Sequence, residues 1–271
     1  AFVFPWLSFM TIRPFGATGL SLPVIGQGTW MMENDPAASV SALRRGVEAG
    51  MTHIDTAEMY GSGRVEEIVG EAIEGRRDQV FLVSKVLPSN ASYEGTLQAC
   101  ERSLRRLRTG HLDLYLLHWR ETLPLDGIFR AFEKLKRDGK IRHFGVSNFD
   151  VQDLEEAWKL SREIACNQVL YHLKERAIEH DVIPWCEQHQ VAVVGYSPLG
   201  QGKFQIDAPV LHEIARAHGG TPVQVALSFL TRRASLFTIP KSSRVEHVLE
   251  NAGAADLRLV VLHVAGLKHH H

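Results

Sequence analysis

Residues 112–118 read LDLYLLH, and this run decides the architecture. Apart from Asp113 it is apolar without alternation, the pattern of a strand covered on both faces rather than one facing water. It ends on an imidazole, His118. The same form recurs at 191–196 (VAVVGY) and at 80–85 (VFLVSK), the latter ending on Lys85. The run at 51–55 (MTHID) ends on Asp55, with Tyr60 just beyond it. Each run leads into a helix-like segment, and repeated strand–helix units favour a parallel sheet with right-handed crossovers.

Working outward, strands are expected at 25–29, 52–55, 80–85, 112–117, 143–147, 165–170, 191–196 and 237–240. Amphipathic helices are expected at 36–49, 65–74, 93–108, 125–137, 151–160, 177–189 and 222–232, with 245–251 after the last strand. A hairpin at 11–15 and 21–24, turned by Gly16 and Gly19, precedes them. This predicts an α/β fold, a (β/α)8 TIM barrel whose bottom is closed by the short N-terminal hairpin. An open doubly wound sheet would place GxGxxG after its first strand. The nearest candidate, GQGTWM at 26–31, lacks the third glycine. No linker or repeat interrupts the pattern, so 11–268 reads as one barrel domain.

The ends read differently. The apolar start AFVFPWLSFM has neither a basic leader nor a small-residue cleavage site, so no signal peptide is expected. Met10 reads as a natural start, residues 1–10 as an extension outside the fold, and 269–271 (HHH) as a tag remnant.

With 271 residues, 45% of them hydrophobic, the chain can bury one large core. Thirty basic and 31 acidic residues leave a formal charge of −1, no footprint for nucleic acid or an anionic membrane. Three scattered cysteines fit neither a disulfide framework nor a structural zinc site. No HExxH is present, His212 and His218 lack metal-site spacing, and no metal is expected. GYSPLG at 195–200 is not a hydrolase nucleophile elbow. No apolar run approaches the roughly 20 residues that span a bilayer. The expectation is a cytoplasmic monomer acting on a small molecule.

In a barrel the C-terminal strand ends form the mouth, where catalytic groups converge. Asp55, Tyr60, Lys85 and His118 would meet there. These groups suit reduction of a carbonyl, in which negative charge develops on oxygen and must be stabilised and protonated. A phenol is a reluctant acid, with a pKa of about 10. A neighbouring ammonium is expected to lower that value, and a carboxylate to keep the ammonium charged and aimed. An imidazole orients the oxygen or completes the proton path near physiological pH. Singly, each has an ordinary structural explanation, such as Asp55 as a helix N-cap. All four at one mouth point to chemistry.

The chain resembles the aldo-keto reductases. DTAEMYG at 55–61 is similar to that family's DTAxxYG signature, Lys85 ends the third strand, and LHW at 117–119 ends the fourth. GVSNF at 145–149 and NQV at 167–169 match further elements, as do GYSPL at 195–199 and IPKS at 239–242 followed by Glu250-Asn251. The resemblance implies hydride transfer between NADP(H) and an aldehyde or ketone, with the proton from Tyr60. It implies that Ser147, Asn148 and Gln168 bind the nicotinamide carboxamide and that Tyr196 stacks on the ring. Ser197 and Leu199 would lie near the pyrophosphate, and Lys241, Ser242, Ser243, Arg244, Glu250 and Asn251 at the adenosine phosphate and adenine. Trp30, Met59 and Trp119 are candidates for the substrate pocket.

Two departures stand out. His247 occupies the place where many NADPH-using members carry arginine, and an imidazole cannot make a permanently charged bidentate grip. NADPH is therefore expected with weakened discrimination, NADH being accepted in part; Arg244 is the substitute cation. The tail after Asn251 and the loop at 119–125 are short, so an open, shallow pocket with broad substrate preference is expected. Two other functions are weighed: an NADP-binding regulatory β-subunit-like protein with little turnover, and a Schiff-base aldolase using Lys85.

Overall fold

In the computed structural model, residues 10–122, 124–202 and 206–259 are described. Residues 1–9 of the expected extension at 1–10, the tag at 269–271 and the domain's end at 260–268 lie outside them, while Met10 is described. Among the described residues the strands are β1 (Ile12–Pro14), β2 (Ser21–Pro23), β3 (Gln27–Gly28), β4 (His53–Asp55), β5 (Phe81–Val86), β6 (Leu112–Leu117), β7 (Ile141–Ser147), β8 (Ile164–Leu170), β9 (Ala192–Tyr196) and β10 (Leu236–Thr238). The helices are α1 (Pro36–Glu48), α2 (Arg64–Ala72), α3 (Tyr93–Leu107), α4 (Leu125–Arg137), α5 (Val151–Leu160), α6 (Val182–Gln188), α7 (Pro209–His218), α8 (Pro222–Leu230) and α9 (Val245–Gly253).

Strands β3 to β10 pair in sequence order, all parallel. Parallel bridges Ile25–Thr238 and Gly28–Lys241 join the first of these strands to the last, and the sheet closes as a (β/α)8 barrel. Gly28 is required at that seam, since a Cβ there would lie 2.6 Å from the Ile239 carbonyl. β1 and β2 form the antiparallel hairpin. It delivers Phe15, fully buried, into the barrel bottom against the rings of His53, Phe81 and Phe237. Met10 packs on the same lower cluster.

The strand runs split by their period of two. On β5, Phe81 and Val83 belong to the inner cluster while Leu82 and Val86 face the helices, so Lys85 points inward. On β6, Leu114 and Leu116 are inner and Tyr115 and Leu117 outer, which aims His118 at the mouth. Local signals set the helix starts. Asp35 caps α1 ahead of Pro36, Ser92 caps α3, and Thr221 with Gln224 forms a capping box on α8.

The expected helix at 177–189 divides into a 3-10 turn (Ala177–Glu179) and α6, because Asp181 interrupts it by capping Val182. Helix α7 was absent from the expected elements. Its signals are present: Pro209 at its start, apolar Leu211, Ile214 and Ala215 on one face, and left-handed Gly219 at its end.

Candidate active site

At the mouth, β4 and β5 bring Asp55 and Lys85 into a buried ion pair, 1% and 0% exposed. Lys85 Nζ donates to Asp55 Oδ1 (2.5 Å), to the Thr56 carbonyl (2.8 Å) and, more loosely, to the Tyr60 hydroxyl (3.4 Å). The Tyr60 ring meets the His118 ring edge-on at 5.8 Å, and His118 lies against Trp119 at 4.9 Å. The four candidate residues are thus one contiguous cluster.

Their electrostatics differ from the sequence expectation in direction. Burial raises the Tyr60 pKa, and the opposing pull of Lys85 does not reverse it. Burial alone would lower the Lys85 ammonium, but the Asp55 carboxylate and the Tyr60 hydroxyl more than restore it, so Lys85 lies above its usual value. Burial, reinforced by Lys85, drops His118 to about 3. His118 is therefore a neutral imidazole throughout the physiological range and not a near-neutral titrating group. Its Nδ1 is buried without a hydrogen-bond partner among the described residues.

His53, inward on β4 below Asp55, is fully buried among aromatic rings, and neither nitrogen has a hydrogen-bond partner among the described residues. Burial lowers it from 6.5 to about 4, with Asp55 pushing up and Lys85 down. Between those values the unfolded chain binds more protons than the folded one. Its contribution is therefore fully present above pH 6.5 and lost as pH falls through 4, about 3 kcal/mol in all. Urea melts at pH 7 and pH 4 should show His53→Leu losing less stability on acidification than the parent; an unchanged difference would reject the assignment.

A cavity of about 1270 Å3 opens above the cluster. Of the expected cofactor residues, Ser147, Asn148, Gln168, Tyr196, Ser197, Leu199 and Lys241 line it, as do Trp30, Met59 and Trp119. Ser242, Ser243, Arg244, Glu250 and Asn251 stand outside its lining. Ser243 Oγ accepts from Ser39, Ser242 bonds Arg244, and Asn251 is buried on α9. Gln168 has a partner the resemblance did not imply: its Nε2 donates to Asp55 Oδ2 (2.7 Å). Asn148 Nδ2 donates to the His118 carbonyl (3.1 Å), and its Oδ1 accepts from the Tyr196 hydroxyl (2.8 Å). Lining residues missed in the sequence include Met31, Gln201, Pro209 and Val223. Pro209 and its neighbours were hidden by the unrecognised α7.

Four cavity residues, Met31, Asn148, Ser197 and Gln201, hold left-handed backbone (φ 62°, 60°, 50° and 54°) without being glycine. Such conformations cost about 1–3 kcal/mol each and concentrate at functional sites. The donor set fits an extended dinucleotide. Amide and hydroxyl groups lie beside the cluster, Tyr196 offers a half-buried ring, and Lys241 lies farther along as a cation. The cavity also exceeds the roughly 300–1000 Å3 of small-molecule pockets.

Comparison with known proteins identifies the family. The model of the aldo/keto reductase family matches residues 24–270. The chain is 47% identical to methylglyoxal reductase YeaE of Escherichia coli (strain K12), over 89% of this chain and 88% of that protein. It is 38% identical to glyoxal reductase of Bacillus subtilis (strain 168), over 89% and 86%. A solved structure of an aldo/keto reductase from Klebsiella pneumoniae in complex with NADP and acetate superposes with TM-score 0.91 at 44% identity, covering 94% of this chain and 93% of that one.

Proposed function

This chain belongs to the aldo/keto reductase family of oxidoreductases, and from that premise we propose that it reduces small aldehydes and 2-oxoaldehydes with NADPH. The observation that carries the reading is Tyr60 and His118 at the cavity floor, with the phenol backed by the buried Lys85–Asp55 pair. NADP(H) as cofactor is supported by the donor set along the cavity and by the NADP complex of the Klebsiella protein.

Bound along that wall, the nicotinamide supplies the hydride. Ser147 and Asn148 would hold its carboxamide, Tyr196 its ring, and Lys241 a phosphate. The Tyr60 hydroxyl donates its proton to the substrate oxygen as negative charge develops there. Its raised pKa keeps the phenol protonated before the reaction. Lys85 stabilises the phenolate that remains, and Asp55, itself held by Gln168, keeps Lys85 charged. His118 orients the carbonyl as a neutral ring. Reduction is therefore expected to be level through neutrality and to fall only on the alkaline side, as Tyr60 loses its proton. A break in kcat between pH 5 and 8 would contradict it.

The substrate class rests on the methylglyoxal and glyoxal reductases named above and on the mouth's surface. Trp30, Met31 and Met59 are all exposed there, as an open apolar rim for small substrates. A Schiff-base aldolase needs a neutral, accessible amine, whereas Lys85 is fully buried and held charged.

A screen of NADPH oxidation over 2-oxoaldehydes, simple aldehydes, ketones and sugars, repeated with NADH, tests the reading. Methylglyoxal and glyoxal should turn over, with other small aldehydes close behind and NADPH favoured over NADH. Quenching of tryptophan fluorescence by NADPH without turnover of any carbonyl would instead favour the regulatory, cofactor-binding reading. One substrate preferred by orders of magnitude would reject the broad pocket.

A further inference from the structure

The turn that carries Tyr60 is tied to β5 at its start, where the Thr56 amide donates to the Val83 carbonyl (2.9 Å) and the Glu58 amide to the Lys85 carbonyl (3.3 Å). Past the bonds from the Tyr60 amide to the Ala57 carbonyl (3.1 Å) and from the Ser62 amide to the Met59 carbonyl (3.1 Å), Gly61, Ser62 and Gly63 are left-handed in succession, at φ 53°, 52° and 94°, so the chain turns away from β5 at the phenol itself. Two buried carboxylates flank the turn. Before it, Glu58 (7% exposed) accepts from the Leu87 amide (2.8 Å) and from Asn90 Nδ2 (2.9 Å) through Oε1, and faces Arg102 Nη2 (3.4 Å) through Oε2. After it, Glu66 (0% exposed) accepts from Ser84 Oγ (2.6 Å) through Oε1 and from Arg106 Nη1 (2.8 Å) through Oε2.

Ser84 on β5 and Leu87 just past its end bracket Lys85 as Glu58 and Glu66 bracket Tyr60. Arg102 and Arg106 stand one helical turn apart on α3. Gly63 completes the fit. A Cβ there would lie 2.5 Å from Arg106 Nε, so the guanidinium rests directly on the glycine. These groups touch neither the cavity nor the reacting atoms.

We propose that Glu58, Glu66, Arg102 and Arg106 form a two-rung clamp that fixes the Tyr60 hydroxyl against Lys85. They are positioning residues for proton donation. The inference rests on Tyr60 being the proton donor. Buried, charge-assisted contacts suit this role because their geometry is narrow and their loss is not compensated by water. A misplacement of about 1 Å costs on the order of 10²-fold in rate when a proton must move along a set line.

The test uses the whole protein with NADPH and methylglyoxal, comparing Glu58→Gln, Glu66→Gln, Gly63→Ala and Arg106→Lys. For the first three, kcat should fall roughly 10- to 100-fold. KM and NADPH affinity, read by tryptophan quenching, should stay within about twofold. As Lys85 loses its hold on the phenol, the alkaline limb of the kcat profile should move to higher pH. Arg106→Lys, which keeps the charge, should retain most activity. In a Tyr60→Phe background the same substitutions should cost nothing further.

An unchanged kcat in folded variants, a rise in KM at constant kcat, or an equal further loss in the Tyr60→Phe background would each overturn the clamp. If a buried variant fails to fold, Arg102→Gln at the partly exposed rung carries the same expectation at about threefold, and an unaltered kcat there counts against it. Retained activity in Tyr60→Phe alone would instead overturn the reading of Tyr60 and leave the clamp without a donor to position.

Discussion

Tyr60→Phe is expected to lower kcat for methylglyoxal reduction by about 10²–10⁴-fold, the usual worth of a positioned general acid, while leaving NADPH affinity unchanged. The substitution removes one oxygen. The ring keeps its edge contact with His118 at 5.8 Å, and the wall that would hold the nicotinamide is untouched. Folding stability should also change little, because the hydroxyl's hydrogen bond among the described residues, to Lys85 at 3.4 Å, is long. The two readouts separate the roles: steady-state turnover reports the donor, and quenching of Trp30 and Trp119 at the cavity reports binding. Turnover within tenfold of the parent would mean that the proton comes from elsewhere.

Asp55→Asn is expected to damage both activity and stability. It leaves the Lys85 ammonium at 0% exposure with neutral partners, namely the new amide oxygen, the Thr56 carbonyl and Tyr60, and takes away the carboxylate that neutralised it. Breaking a buried pair from one side costs about 3–5 kcal/mol, which for a chain of this size lowers Tm by roughly 10 °C. Activity should fall as well, since Lys85 no longer has a carboxylate to keep it charged beside the phenol. The double variant Asp55→Leu/Lys85→Met removes both charges and should recover much of the stability while staying inactive. A single variant as stable as the parent would show that the pair contributes no net electrostatic support. A double variant that still reduces aldehydes would remove the pair from the mechanism.

Much of the barrel was legible because its signals are local. The apolar runs at 80–85 and 112–117 survive almost unchanged as β5 and β6, and helices α4 and α5 keep their expected bounds. The misses follow from competing local chemistry. Asp181 offered a cap that split the 177–189 helix, and no strand was expected between 196 and the ten-residue α7 to announce it. The order of the four candidate catalytic residues was also legible, since each sits at or just past a strand end, and a period of two decides which way a strand's side chains point.

Partners and charge states were not legible. Gln168 meets Asp55 across 113 residues, and no spacing rule connects them. The Glu58 and Glu66 clamp is equally invisible in a sequence where acidic residues beside a helix start read as ordinary surface or cap chemistry. The sequence alone determined the strand–helix alternation, the closed parallel barrel and the identity of the groups delivered to its mouth, because these depend on residue type and periodicity along the chain. Only the tertiary structure decided that Tyr60 is raised rather than lowered and that His118 stays neutral, because those values depend on how completely distant segments exclude water.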